Sequence, residues 1–111
     1  MQNLIQKKCV PCEAGGPSLS ETTIQEYLKV VSGWSLNQTG HLTKSWKFKD
    51  FKTALDFVNK VGALAEAEGH HPNITFTWGQ VDIELWTHAG NGLSENDFIM
   101  AARFDRVYDK K

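Results

Sequence analysis

Glu66-Ala67-Glu68-Gly69-His70-His71-Pro72 marks a forced break between a long helical segment and a strand, and it sets two imidazoles in that break. Gly69 is a natural left-handed terminator for the preceding helix. Pro72 cannot continue a helix and pushes His71 towards extended geometry. The two histidines therefore fall in a stiff corner. Imidazole both gives and takes a proton near neutral pH, so a rigid pair invites an acid/base reading, although adjacent histidines in loops are more often surface residues.

On the N-terminal side of the corner, Asp50 can cap a helix whose apolar face runs through Phe51, Ala54, Leu55, Val58, Val61, Gly62 and Ala65. Phe57 and Leu64 widen that face. A helix apolar over so broad an arc is buried on two sides, between layers or against another copy of the chain, so self-association is expected. Further upstream, Trp34 and Leu36 alternate with polar residues. Thr39-Gly40 offers a turn beside His41, and Leu42, Trp46 and Phe48 resume the period of two, which predicts a β-hairpin. Before it, Ser20 is an N-cap, with Leu19 and Ile24 as a hydrophobic staple. Ile24, Tyr27, Leu28 and Val31 form a core face running to a stop at Gly33.

On the C-terminal side, Ile74, Phe76 and Trp78 alternate with threonines and Gly79-Gln80 makes a turn. Val81, Ile83 and Leu85 then alternate with Asp82, Glu84 and Trp86. This is a second hairpin. After Thr87-His88-Ala89-Gly90-Asn91-Gly92, Ser94 caps a third helix inside a Leu93/Phe98 staple, and Asp97 takes the capping-box position. Ala101, Phe104 and Tyr108 continue its face towards Lys110-Lys111, whose charge suits the helix dipole.

The order αββαββα predicts an α+β fold, a two-layer arrangement of a four-stranded antiparallel sheet with three helices on one face. The other face stays open. It carries Trp86 and charged residues, to be covered by water or a partner.

A chain of 111 residues with 41% hydrophobic and 23% charged residues is about one ordinary globular domain. Its formal net charge of −1 gives no general pull towards nucleic acid or an anionic membrane. No apolar run approaches the roughly 20 residues of a membrane span, and no signal-peptide pattern opens the chain. A cytoplasmic protein is the expectation. Residues 1–18 read as a flexible leader and 19–111 as a single domain. The leader's Cys9-Val-Pro-Cys12 has chelating or redox spacing, but it lacks two further zinc ligands and the strand-to-helix setting of a thioredoxin-like site. A zinc site built from Cys9, Cys12 and histidines is the weaker alternative.

His70, His71, His88 and Asp97 all fall at predicted element ends, where a compact two-layer fold can bring them together. The run Glu66-x-x-x-His70-His71-Pro72, with Trp78 after five further residues, His88 after nine more and Asp97 after eight more, resembles the signature of pterin-4a-carbinolamine dehydratases. The flanking Thr87-His88 and Gly92-Leu93-Ser94-Glu95-Asn96-Asp97 are similar to that family too. The resemblance covers roughly Ser20 to Tyr108, including Gly33-Trp34, and leaves the leader outside.

The resemblance implies a hydro-lyase that removes water from a small pterin, the 4a-hydroxytetrahydropterin made by aromatic amino-acid hydroxylases. It implies neither metal nor redox cofactor, and a homodimer or homotetramer. By resemblance, His70 and His88 are the proton-transfer pair and His71 binds or orients the pterin, with acid and base not distinguished. Asp97 orients a histidine or the pterin, completes the capping box, or does both. Glu66, one turn before His70, contacts His70 or substrate, or is an exposed helical residue. Trp78 walls the pterin site or, as strand alternation favours, packs with Ile74 and Phe76 in the core. Strict alternation also sets His88 on the face opposite Leu85 unless the loop bends. The alternative function is a non-catalytic binding or dimerisation-cofactor module, since the family includes such a protein.

Overall fold

The structure, a computed structural model, describes residues 19–31, 33–87 and 93–109; the expectations on the leader, on His88 and on Lys110-Lys111 lie outside the described residues. Its elements are α1 Glu21–Leu28, β1 Ser35–Leu36, β2 Leu42–Lys47, α2 Phe51–Glu68, β3 Asn73–Thr77, β4 Gln80–Leu85 and α3 Glu95–Asp109. This is the expected α+β order.

Local chemistry sets the helix ends. The Ser20 hydroxyl accepts from the Thr23 N–H at 3.2 Å, and the Asp50 carboxylate accepts from the Thr53 N–H at 2.8 Å and its hydroxyl at 2.6 Å. The Thr53 hydroxyl and then its N–H hold the Asp50 carboxyl below the usual carboxylate range. Gly69 closes α2 at φ 67°, a left-handed conformation that side chains with a Cβ rarely adopt. The first helix is shorter than its apolar face predicts. It ends at Leu28, where Lys29 and Val30 turn their N–H groups onto the carbonyls three residues back, at 3.2 and 2.9 Å. That tighter winding closes the helix, and Val31 reaches the core from the turn beyond it.

The four strands form one antiparallel sheet in the order β1-β2-β4-β3. β2 and β4 pair from Leu42↔Leu85 to Lys47↔Gln80, and β4 pairs β3 from Asn73↔Glu84 to Thr77↔Gln80. Alternation then sorts the faces. Leu42, Trp46, Val81, Ile83 and Leu85 are buried beneath Ala54, Phe57, Val61 and Ala65 of α2 and Phe98, Ala101 and Phe104 of α3. Each fully buried Phe or Leu contributes roughly 1.5–3 kcal/mol. Thr43, Ser45, Asp82 and Glu84 occupy the opposite, polar face.

Polar contacts tie the helices to this core. The Tyr27 ring stacks on Phe98 at 5.0 Å and its hydroxyl donates to Glu95 at 2.7 Å. Burial, then Glu95, pushes the Tyr27 phenol up to about 12. Asp105 of α3 accepts from Trp34 Nε1 at 3.0 Å and pairs with Lys44 at 2.7 Å.

One expectation changes. Trp78 is not a core residue: β3 stops at Thr77, and Trp78 lies in the β3–β4 turn, 64% exposed. The turn is placed by Gly79, whose carbonyl accepts from Phe48 N–H at 2.8 Å; a Cβ there would sit 3.0 Å from the Phe48 carbonyl oxygen. The broad arc of α2 is covered on one side within the chain, with Phe51 and Leu55 exposed on the other, which leaves that side open to the expected contact with another copy.

Candidate active site

The corner that opens the sequence reading is held from both sides. The His70 N–H donates to the Ala65 carbonyl at 3.1 Å, the six-to-one bond of a helix end closed by left-handed glycine, so the backbone of His70 is fixed before its side chain makes any contact.

His70 Nε2 lies 2.7 Å from Asp97 Oδ1, with side chains 1% and 0% exposed. Asp97 Oδ2 accepts from the Ser94 N–H at 2.9 Å and from the Thr87 hydroxyl at 2.8 Å, and the Thr87 and Ser94 hydroxyls are 2.7 Å apart. Asp97 thus caps α3 through the Ser94 N–H and also contacts His70. The result is an enclosed polar chain spanning the end of α2, the end of β4 and the start of α3.

The next imidazole has a different setting. His71 Nε2 meets Glu66 Oε1 at 2.8 Å with 62% and 81% of the side chains exposed, so Glu66 is both an exposed helical residue and a histidine partner, of His71 and not of His70. Trp78 stands at the far end of β3 and is not brought to the histidines within one chain. His88 is outside the described residues.

Two groups escape the sequence reading. Thr87 is buried, and the inward alternation of Val81, Ile83 and Leu85 extends to it. A threonine on the core side must find a partner for its hydroxyl, which is the signal that could have found it. His41 is more than a turn residue. Its Nδ1 is 2.6 Å from Glu84 Oε2, Asn37 Nδ2 donates to the same oxygen at 2.9 Å, and the imidazole stacks on Trp86 at 4.5 Å and 9°. His41, then Asn37, holds the Glu84 carboxyl below the usual range.

A cavity of about 460 Å³ lies at the other end of α2, lined by Phe48, Phe57, Val107 and three lysines, and holds no imidazole. Among the described residues no cluster of three or more His, Cys, Asp or Glu is arranged to hold a metal ion, and no helix is long and apolar enough to cross a membrane.

An enclosed imidazole–carboxylate pair beside an exposed imidazole defines a site suited to proton transfer on a small molecule. Comparison with known proteins places the whole chain in a family. The family described as pterin 4 alpha carbinolamine dehydratase matches residues 17–107, and the chain belongs to it. The chain is 49% identical over 106 residues to a Rickettsia canadensis (strain McKiel) protein provisionally named as such a dehydratase, covering 95% of this chain and 97% of that one. It is 45% identical over 112 residues to "Pterin-4-alpha-carbinolamine dehydratase 2, mitochondrial" of Arabidopsis thaliana, covering 96% of this chain and 60% of the relative. A crystal structure titled transcriptional coactivator/pterin dehydratase, from Brucella melitensis, superposes with a TM-score of 0.79 at 35% identity, covering 82% of this chain and 98% of that one.

Proposed function

We propose that this chain is a 4a-hydroxytetrahydropterin dehydratase whose proton transfers run through its histidines. The observation that carries the reading is the enclosed His70–Asp97 pair next to the exposed His71, within a chain of this family. In the reaction the N5 proton passes to a base, and the N5 electron pair forms the C4a=N5 bond. The C4a–O bond breaks, and an acid protonates the departing hydroxyl to give water and quinonoid dihydropterin. No electrons leave the substrate, so a base and an acid suffice.

His70 and His88 are the proton-transfer pair, Asp97 orients His70, and His71 with Glu66 holds the pterin. Because His70 is enclosed in the free chain, seating the pterin uncovers it. Trp78 has no part in this site within one chain. The reaction serves the recycling of pterin for aromatic amino-acid hydroxylases in the cytoplasm. The exposed Phe51 and Leu55, with Phe51 stacked on Phe76 at 5.0 Å, support a homo-oligomer, dimer or tetramer. Residues 1–18 are a leader dispensable for turnover.

The test is dehydration of freshly generated 4a-hydroxytetrahydropterin, with and without chelator. His70→Ala and His88→Ala should each lower kcat by roughly 10²-fold, and the double variant by less than the product of the two, as for groups acting on one transition state. Chelator should leave turnover unchanged. Wild-type turnover in both variants, with pterin still bound, would refute the histidine assignment and favour a binding module of the kind named in the Brucella title.

A further inference from the structure

We infer that the recess between the first half of α2, the end of β2 and α3 is a binding site for a small organic anion with an aromatic body, separate from the histidine corner. The inference rests on the walls of that recess and does not depend on the dehydratase reading.

The recess has a volume of about 460 Å³. Sites for small molecules span roughly 300–1,000 Å³, are mostly apolar inside and carry a few polar groups that fix orientation. Here the apolar part is Phe48 after β2, Phe57 of α2 and Val107 of α3. The two phenyl rings tilt on one another at 5.2 Å, and each meets the Tyr108 ring edge-on, at 5.5 and 5.9 Å. The floor is therefore formed before any ligand arrives. Because three elements converge on it, it is a pocket and not a strip along one helix, so it suits a compact molecule better than a peptide or a second helix.

The charge around that floor is lopsided. Lys47, Lys49 and Lys60 line the recess against the single carboxylate of Asp56, in a chain whose formal net charge is −1. Lys47 is engaged with Gln80, whereas Lys49 and Lys60 make no ion pair among the described residues. The neighbouring Asp50 is turned onto the Thr53 N–H and hydroxyl as the cap of α2. The helix end is thus already occupied, and the two lysines are what remains to attract an anion. A neutral aromatic molecule gains only from the floor, and an inorganic anion only from the lysines. A ligand with both parts gains from both.

The experiment titrates the full chain with 2-naphthoate and follows its amide and methyl NMR signals, beside 2-naphthamide, which has the body without the charge, and acetate, which has the charge without the body. 2-Naphthoate should move the signals of Phe57, Lys60 and Val107 with a Kd of roughly 1 mM or below, and the other two should bind about 10-fold more weakly. Ion pairs open to water are individually weak, so Lys49→Gln and Lys60→Gln should each weaken 2-naphthoate by about 3-fold and together by about 10-fold. Asp56→Asn removes the opposing charge and should tighten it by about 2-fold, a sign that a merely structural role for these surface residues would not produce. Added salt should weaken the acid and leave the amide unchanged. Equal binding of acid and amide overturns the inference, and so do shifts centred on His70 and His71 in place of Val107, or an unchanged affinity in the double lysine variant. A wild type that binds no 2-naphthoate, in an oligomer that the double variant dissociates, overturns it too and assigns the recess to a second copy. None of these outcomes touches the dehydratase reading, which the pterin assay tests on its own.

Discussion

Three histidines each meet a carboxylate at almost the same distance: His70–Asp97 at 2.7 Å, His41–Glu84 at 2.6 Å and His71–Glu66 at 2.8 Å. Distance therefore does not rank them. The first is enclosed, the second about a quarter exposed, with side chains at 24% and 28%, and the third open to water. An enclosed pair is stabilised only while every polar atom has a partner, and it fails badly when one is removed. An exposed pair gains little and loses little, because water takes over either half. The carboxylates differ in setting, with Asp97 accepting from His70, Thr87 and Ser94 inside the enclosed site and Glu84 from His41 and Asn37 at a partly open one, while Glu66 meets His71 across open solvent.

Asp97→Ala should therefore show the largest effect. It removes the shared acceptor of the His70 imidazole, the Thr87 hydroxyl and the Ser94 N–H in a site closed to water, and removing one partner from a buried pair costs about 3–5 kcal/mol. Urea unfolding at neutral pH measures it. A loss under about 1 kcal/mol would mean that water reaches the chain of bonds and that burial does not separate the three pairs.

Sequence reading reaches the parts of this comparison that are local. Ser20, Asp50 and Gly69 act within one turn of their own helix, and Asp97 is legible as a capping-box residue because its Ser94 partner lies three positions away. The Asp97–His70 bond joins residues 27 apart, and only the fold brings them together. The same holds for His41, whose partner Glu84 is 43 positions distant and reaches it through the β2–β4 register. Trp78 fails for another reason. Period-two alternation is informative inside a strand, and β3 ends one residue before it, where Gly79 must fit against the Phe48 carbonyl.

Glu84→Gln should fall in the middle. His41, then Asn37, depresses the folded value of the Glu84 carboxyl, so its stabilising contribution is present above the unfolded carboxylate value and is lost as pH falls through the lower folded value. At neutral pH the variant should lose about 1 kcal/mol or less, because the pair is partly solvated. That difference from wild type should shrink steadily as acid protonates Glu84. Denaturant midpoints at neutral and acidic pH give the comparison, and a difference that persists below the carboxylate range would show that packing against Trp86, not charge, holds His41.

Glu66→Gln should change stability least. Its carboxylate and the His71 ring are largely in water, and exposed pairs of this kind contribute between nothing and about 1 kcal/mol, so the unfolding midpoint should stay within measurement error. Under the proposed function, the same substitution should register in substrate binding. Glu66 sets the direction of His71, and an imidazole free to swing loses part of its hold on the pterin. Glutamine keeps a hydrogen-bond acceptor at the same reach but drops the charge, so KM should rise by a few-fold at most while kcat stays near wild type. His71→Ala should raise KM further along the same axis, because it removes the group that Glu66 only steers. A Glu66→Gln variant that lowers kcat as strongly as His70→Ala would place the open pair in the chemical step itself and erase the division of labour between the two histidines of the corner.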